Sequence, residues 1–250
     1  PLYSSAASDV YKRQPLEGPC SWLVIPANRS RLSPVNFQDT QLIGVLARAE
    51  STVSSLSSLL GGLVEKFAAR GYSLYLVGGS VRDALLGRLG NDLDFTTPAR
   101  PEVVKEILDE WAETVWDTGI DFGTVSAAYK GQQIEITTFR SDSYDGQSRN
   151  PEVVYGDTLE GDLVRRDFKA NAMAIELLAD ASFKFHDPLH GLQDIADRVL
   201  DTPDKPEISF HDDPLRMLRA ARFASQLEFR VADRVVEAMR DMACLLYTSP

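Results

Sequence analysis

Apolar residues recur at helical spacing through residues 51–70, "STVSSLSSLLGGLVEKFAAR", and Gly71 ends the run, so the pattern predicts a helix there. "YSLYLVGG" reads as a short buried strand. Ser80 is placed to cap a helix that runs to Leu86 and stops at Gly87. "NDLDFTT" alternates as a strand does, with Asp92 and Asp94 on its polar side. Pro101 opens a predicted helix over 101–112. "GTVSAAYKGQQIEITTFR" divides into two strands around Lys130-Gly131, a hairpin signal. The polar, turn-rich "SDSYDGQSRNP" at 141–151 predicts a mobile loop. Next, "TLEGDLVRRDFKANAMAIEL" predicts a capped helix, a turn and an apolar segment, and "DPLHGLQDIADRVL" a turn and a helix.

Pro203 and Pro206 interrupt the chain, and the pattern then predicts two helices, 211–225 and 231–242, with no strands. This change from mixed α/β to all-α places a domain boundary near residue 205. Residues 51–204 are expected to form an α+β head domain, and 205–243 the start of an all-α neck. Residues 1–50 read as a leader, since "PLEGPCSWLVIPANRSRLSP" is proline-rich and aperiodic. "PLYSSAASDVYKRQ" and "CLLYTSP" share no periodicity with the rest and resemble translated sequencing-adaptor sequence. Residues 1–14 and 244–250 are therefore expected to be foreign, and the gene to be cut within a longer protein.

Composition changes this picture little. With 250 residues, 44% of them apolar, the chain can fill one good core and part of another. A net charge of −11 offers no global attraction for a polyanion, so any nucleic-acid contact must come from a local basic patch. Cys20 and Cys244 are the only cysteines and lie far apart, which builds neither a metal knuckle nor a disulfide framework. A reducing, cytoplasmic setting fits that usage. No apolar run approaches the roughly twenty residues that span a bilayer, and no signal peptide opens the chain. Nothing in the sequence sets an oligomeric state.

The chemistry gathers in "VGGSVRDALLGRLGNDLDFTT", residues 77–97. Gly78 and Gly79 follow a strand and precede a helix, where a backbone without Cβ atoms can approach a phosphate. Ser80 adds a hydroxyl and Arg82 a fork of donors suited to phosphate oxygens. The same residues can also be a plain glycine turn with a Ser cap and a surface arginine. No Gly-Lys-Ser/Thr follows, so this is not a Walker loop. Asp92 and Asp94, two apart on a strand, face the same side, where two carboxylates repel and one tends to take a proton. A Mg²⁺ ion would remove that conflict. Glu135, acidic in an otherwise apolar and Thr-rich strand, could join the cluster from a neighbouring strand.

Two further stretches carry arginines. "RRDFKANA" sets Arg165, Arg166 and Asp167 at a helix end, with Asn171 four residues on; the arginines can satisfy the helix dipole or equally serve a site. "DDPLRMLRAAR" places Met217, Leu218, Ala221 and Ala224 on one face of a helical wheel, and Arg216, Arg219 and Arg222 on the other. Arg219 and Arg222 have no carboxylate at i±4. Such a stripe can be a solvated face, but in an acidic chain it is better explained by an anionic partner. Asp213 accepts hydrogen bonds and Arg216 donates them, so together they could read the edge of a base.

In order and at family-like spacing, "LVGGSVRDALLG", "NDLDFTT", "FGTV", "IEITTFR", "LEGDLVRRDFKANAMA", "DPLHGL" and "DDPLRMLRAARF" resemble the bacterial-type class II tRNA nucleotidyltransferases, the CCA-adding enzymes, which share ancestry with bacterial poly(A) polymerase. The resemblance runs from about Tyr75 to Ala243. It implies a polymerase β-like nucleotidyltransferase head, a neck, and body and tail domains missing here. It also implies that Asp92 and Asp94 hold the catalytic Mg²⁺, with Glu135 as the third carboxylate. Gly79, Ser80 and Arg82 would meet the triphosphate of CTP or ATP, and Arg166 the nucleotide. Asp213 and Arg216 would read the base, with Arg219 and Arg222 completing that pocket. The implied partner is the tRNA 3′ end, and the implied setting the cytoplasm. The base-reading motif usually begins Glu-Asp, whereas here it is Asp212-Asp213. Poly(A) polymerase, a specialist adding only CC or only A, and a non-catalytic nucleotide-binding module remain the alternatives.

Overall fold

The computed structural model describes residues 37–143 and 152–248. The chain opens on α1, Phe37–Ala69, whose buried positions Val53, Leu56, Leu60, Leu63 and Phe67 repeat at three- and four-residue intervals. The helix begins fourteen residues before the stretch read as periodic. No proline falls between Pro34 and Gly71 to stop it, and Arg48 anchors the early turns by donating to the Leu85 carbonyl at 3.2 Å.

Next come β1 (Leu74–Val77), α2 (Gly78–Leu85), β2 (Asp92–Thr97) and α3 (Pro101–Asp109), the last three residues shorter than the sequence pattern suggests. Strands β3 (Thr114–Trp116), β4 (Thr124–Tyr129) and β5 (Gln132–Thr138) follow. The β4–β5 hairpin turns on Lys130 and Gly131, both at positive φ, as a two-residue turn requires. Residues 141–143 are not loop: β6 (Arg140–Ser143) pairs antiparallel with β7 (Glu152–Tyr155). The rest of the expected mobile loop, 144–151, lies outside the described residues. Helix α4 (Leu159–Val164) is capped by Thr158, whose hydroxyl accepts from the Gly161 amide at 3.2 Å. Strands β8 (Ala174–Leu177) and β9 (Phe183–His186), helix α5 (Gly191–Ala196) and strand β10 (Val199–Leu200) complete this part.

Seven strands form one mixed sheet in the order β3-β4-β5-β2-β1-β8-β9, with β2 and β5 parallel and the other neighbours antiparallel. Leu93, Phe95, Ile134 and Ile136 point to one face and pack with α1 and with Val104 and Ile107 of α3. The opposite face is covered over β1 and β8 by Leu159 and Leu163 of α4 and by Phe139. Over β2 and β5 it carries the acidic residues.

Past the sheet the sequence pattern needs correction. Pro206 does not break the chain but opens α6, Pro206–Asp212, from the first helical turn. Pro214 then separates it from α7, Leu215–Leu227. A strand does occur: β11 (Arg230–Val231) pairs in parallel with β10. Helix α8 (Asp233–Met242) and the short α9 (Leu245–Thr248) end the described chain. The buried face of α7 is Met217, Ala220, Phe223 and Leu227; of the face the helical wheel selected, Met217 is buried and Ala224 packs on the core, but Ala221 is exposed and Leu218 is 56% exposed. Phe223 decides this, since its ring meets Phe168 of the head edge-on at 5.9 Å. No helix of the described residues is long and apolar enough to cross a membrane.

Candidate active site

A cleft of about 490 Å³ opens where β1, α2, β2, β5, α4 and α7 converge. Gly78, Gly79 and Arg82 line one wall, Asp94 and Glu135 the floor, and Arg166, Asp213, Arg216 and Arg219 the opposite wall. Nine residues singled out from sequence thus meet in one place. Ser80, Asp92 and Arg222 do not line it.

The glycine turn is built for closeness. Gly78 sits at φ +66°, and a Cβ there would lie 2.9 Å from Arg166 Nη1. Ser80 is inside α2 rather than its cap; Val77 holds the cap position. The Ser80 hydroxyl instead ties the helix to β2, accepting from the Asp94 amide at 2.9 Å and donating to the Asp92 carbonyl at 3.3 Å. It is a brace that fixes where the acidic strand lies. Arg82 is no surface arginine: it is 8% exposed. Asp83 accepts from its Nε and Nη2 at 3.0 and 2.9 Å, and Asn171 from its Nη1 at 2.7 Å.

Asp94 and Glu135 are paired residues on the parallel strands β2 and β5, so their side chains leave the sheet on the same side. Burial pushes the Asp94 carboxyl above the usual range. Glu135 and Asp92 push the same way, against the opposing pull of Arg166 and Arg82. Asp92, one pleat back on β2, is exposed on the same face as Asp94 but does not line the cleft. Among the described residues, no group of three or more His, Cys, Asp or Glu side chains is arranged as a ready-made metal site. The crowded negative charge around Asp94 is nevertheless the setting a hard cation fits.

The arginine wall hangs on two buried acids. Asp162 of α4, fully shielded, accepts from Arg165 Nε and Nη2 at 3.0 and 2.8 Å and from Arg166 Nη2 at 2.9 Å. Burial alone would raise its pKa, but Arg166 and Arg165 overcome that and hold it low. Asp167 accepts from Arg219 Nε at 2.8 Å and from Asn171 Nδ2 at 2.9 Å. Arg219 therefore has a carboxylate partner, supplied from the head rather than from its own helix. Arg222 lies against the Phe223 ring, 4.8 Å from its centroid. Arg216 donates to Ser209 Oγ at 2.9 Å and to the Arg165 carbonyl at 2.8 Å, with its Nε 4.0 Å from Asp213 Oδ2. Asp213 is not on α7; it links α6 to α7, and its Oδ1 accepts from the Leu215 amide at 2.9 Å.

Sequence reading missed Arg140, Arg165, Asp167, Asn171 and Phe223 as cleft residues, and Asp162 as their anchor. For Asp162 a signal was present: it stands three and four residues before Arg165 and Arg166, at helical spacing across the end of α4.

The mixed seven-stranded sheet, the glycine turn into a short helix and the paired carboxylates opposite an arginine wall define a polymerase β-like nucleotidyltransferase head. The chain belongs to the family of the Poly A polymerase head domain, whose model matches residues 74–201. It is 43% identical over 172 residues to a CCA-adding enzyme of Lactobacillus helveticus, covering 68% of this chain and 41% of that one. A CCA-adding enzyme of Listeria innocua is 41% identical over 185 residues, 74% of this chain and 45% of its own. Among solved structures, the Bacillus stearothermophilus CCA-adding enzyme in complex with CTP superposes with a TM-score of 0.67 at 36% identity, over 78% of this chain and 45% of that one. A tRNA nucleotidyltransferase complexed with a primer tRNA and an incoming ATP analog gives 0.64 at 31% identity, over 75% and 52%. The chain thus spans less than half the length of the curated relatives it matches.

Proposed function

We propose that this chain carries the nucleotide-binding head, and the start of the neck, of an enzyme that adds C, C and A to the tRNA 3′ end from CTP and ATP, in the cytoplasm and without a nucleic-acid template. The observation that carries this is the single cleft in which Asp94 and Glu135 face Arg82, Arg166 and Arg216. A triphosphate needs the arginines, and a reacting α-phosphate needs acids beside it to hold a cation. The CCA-adding relatives, solved with CTP or with a primer tRNA and an ATP analog, favour the same substrates.

In this reading the RNA 3′ oxygen forms a bond to the α-phosphorus as the bond to pyrophosphate breaks. The backbone at Gly78 and Gly79 and the Arg82 guanidinium hold the leaving phosphates. Arg166 steadies the nucleotide; its buried Nε meets no acceptor among the described residues, and an anion in the cleft supplies one. Asp213 and Arg216 present an acceptor and donors to the base edge. Asp92 and Asp94, with Glu135 beside them, would hold Mg²⁺, which would lower the pKa of the attacking hydroxyl and stabilise the leaving oxygens.

The test is incorporation of labelled CTP and ATP into tRNA lacking its CCA end, by the chain extended to the length of its relatives. Asp94→Ala should abolish transfer without lowering the melting temperature, because it removes a crowded carboxylate rather than a core group. Transfer near the wild-type rate would end this reading. A second reading, addition of A alone, is favoured by the poly(A) polymerase family match; wild-type protein that incorporates ATP but never CTP would select it.

A further inference from the structure

The uncovered half of the sheet carries one row of registered side chains. Asp94 on β2 pairs with Glu135 on β5, Glu135 with Ser126 on β4, and Ser126 with Trp116 on the edge strand β3. Registered residues of neighbouring strands leave the sheet on the same side, so the carboxylates and the indole share a face. Two strand spacings of about 4.8 Å put Trp116 roughly 10 Å from Glu135. The ground between is low, because β4 offers only Thr124, Ser126 and Ala128 on that side. At its end Trp116 is 45% exposed. Trp111 on the same stretch is instead stacked on Tyr129 with ring centroids 3.9 Å apart. An exposed aromatic ring at the end of a polar track from the candidate active site offers a face on which a base can stack.

We propose that Trp116 is a stacking platform for a base at the 3′ end of single-stranded RNA, whose terminal ribose lies over Ser126 and Glu135. This rests on the nucleotidyl-transfer reading and adds the path of the acceptor strand. One flank of the carboxylates is taken by the glycine turn and the arginine wall, which suit the incoming nucleotide. The acceptor strand must then arrive over the other flank, across β5 and β4. The contact at its end is uncharged. Glu113, Asp117 and Asp121 are exposed near Trp116 in the chain and would repel phosphates, whereas a base's π-face stacks on an indole whatever its sequence.

The experiment compares wild type, Trp116→Ala and Trp116→Phe in this chain. The probe is a labelled single-stranded RNA ending in two cytidines, read by anisotropy, with CTP affinity and thermal melting measured on the same samples. Trp116→Ala should weaken RNA binding about tenfold to hundredfold, and Trp116→Phe should keep most of it. CTP affinity and melting temperature should stay at wild-type values in both, and the loss should be the same at low and high salt. RNA affinity unchanged in Trp116→Ala, with wild type still binding RNA and transferring CMP in the extended chain, overturns the platform alone. An equal loss of CTP and RNA binding also overturns it. Wild type that neither binds the RNA nor transfers CMP overturns both readings together.

Discussion

Asp162 acts entirely through its neighbours. Its carboxylate is shielded from water yet holds Arg165 and Arg166, and the Arg165 carbonyl in turn holds Arg216. Replacing it with Asn keeps the size and removes the charge, leaving two part-buried guanidiniums without their anion. Asp162→Asn should therefore cost about 3–5 kcal/mol of stability and weaken CTP binding, since the arginine wall loses its orientation. Urea unfolding and CTP titration check this; a variant that binds CTP like wild type shows that the arginines are set without the anchor. Asp194 on α5 poses the opposite problem. One of its oxygens is buried with no partner among the described residues, and burial pushes its pKa up to about 6, against the opposing pull of Lys169. A raised carboxyl pKa means that between about pH 4 and 6 the folded chain keeps a proton that the unfolded chain releases. Stability from this group is therefore present at low pH and lost as pH rises through that window. Asp194→Asn should stabilise the chain by about 1–2 kcal/mol at pH 7.5. The gain should vanish below pH 4. A stability difference that is flat from pH 4 to 7.5 would place the charge elsewhere.

At the scale of elements, what was legible in the sequence was local chemistry, and what was not was set at a distance. Lys130-Gly131 announces its hairpin because a two-residue turn needs positive φ, and Thr158 announces α4 because a hydroxyl caps the amide three residues on. Asp92 and Asp94 share a face by strand geometry alone, while the pairing of Asp94 with Glu135 was only a possibility until the parallel register of β2 and β5 was in hand. Ser80 misled because a serine after a glycine turn looks like a cap; only the proximity of β2, fourteen residues on, shows that its hydroxyl braces a strand. Arg219 misled for the same reason, since its partner Asp167 is 52 residues away and invisible to an i±4 count. The wheel for α7 failed because Leu218 and Ala221 are as apolar as the residues that are buried. The head's Phe168 and the rest of the core decide that Ala220 and Phe223 turn inward.

At the scale of the molecule, the shift to an all-helical pattern suggested a boundary near residue 205, yet the packing runs through that point. Ala220, Phe223, Leu227 and Phe229 share one core with Phe168, Ile195 and Leu200. Strands β10 and β11 pair across it, and Asp201 accepts from both Lys169 and Arg234, at 2.7 Å each. Arg234 also donates to the carbonyls of Thr202 and Asp204, fixing the connection itself. Cutting the chain after residue 204 would expose the apolar surface of Phe168 and Leu200 to water, and a buried aromatic or leucine contributes roughly 1.5–3 kcal/mol each. Against a typical domain stability of about 5–15 kcal/mol, that loss is decisive. Residues 37–204 alone should therefore be poorly folded or aggregated, while residues 37–248 should unfold in one transition followed alike by circular dichroism and tryptophan fluorescence. The cleft gives the same expectation a functional form: Asp213, Arg216 and Arg219 come from beyond the cut, so CTP should raise the melting temperature of the longer chain and leave the shorter one unaffected. A shorter chain that melts cooperatively near the temperature of the longer one would restore the boundary at 205 and make the neck a separate folding unit.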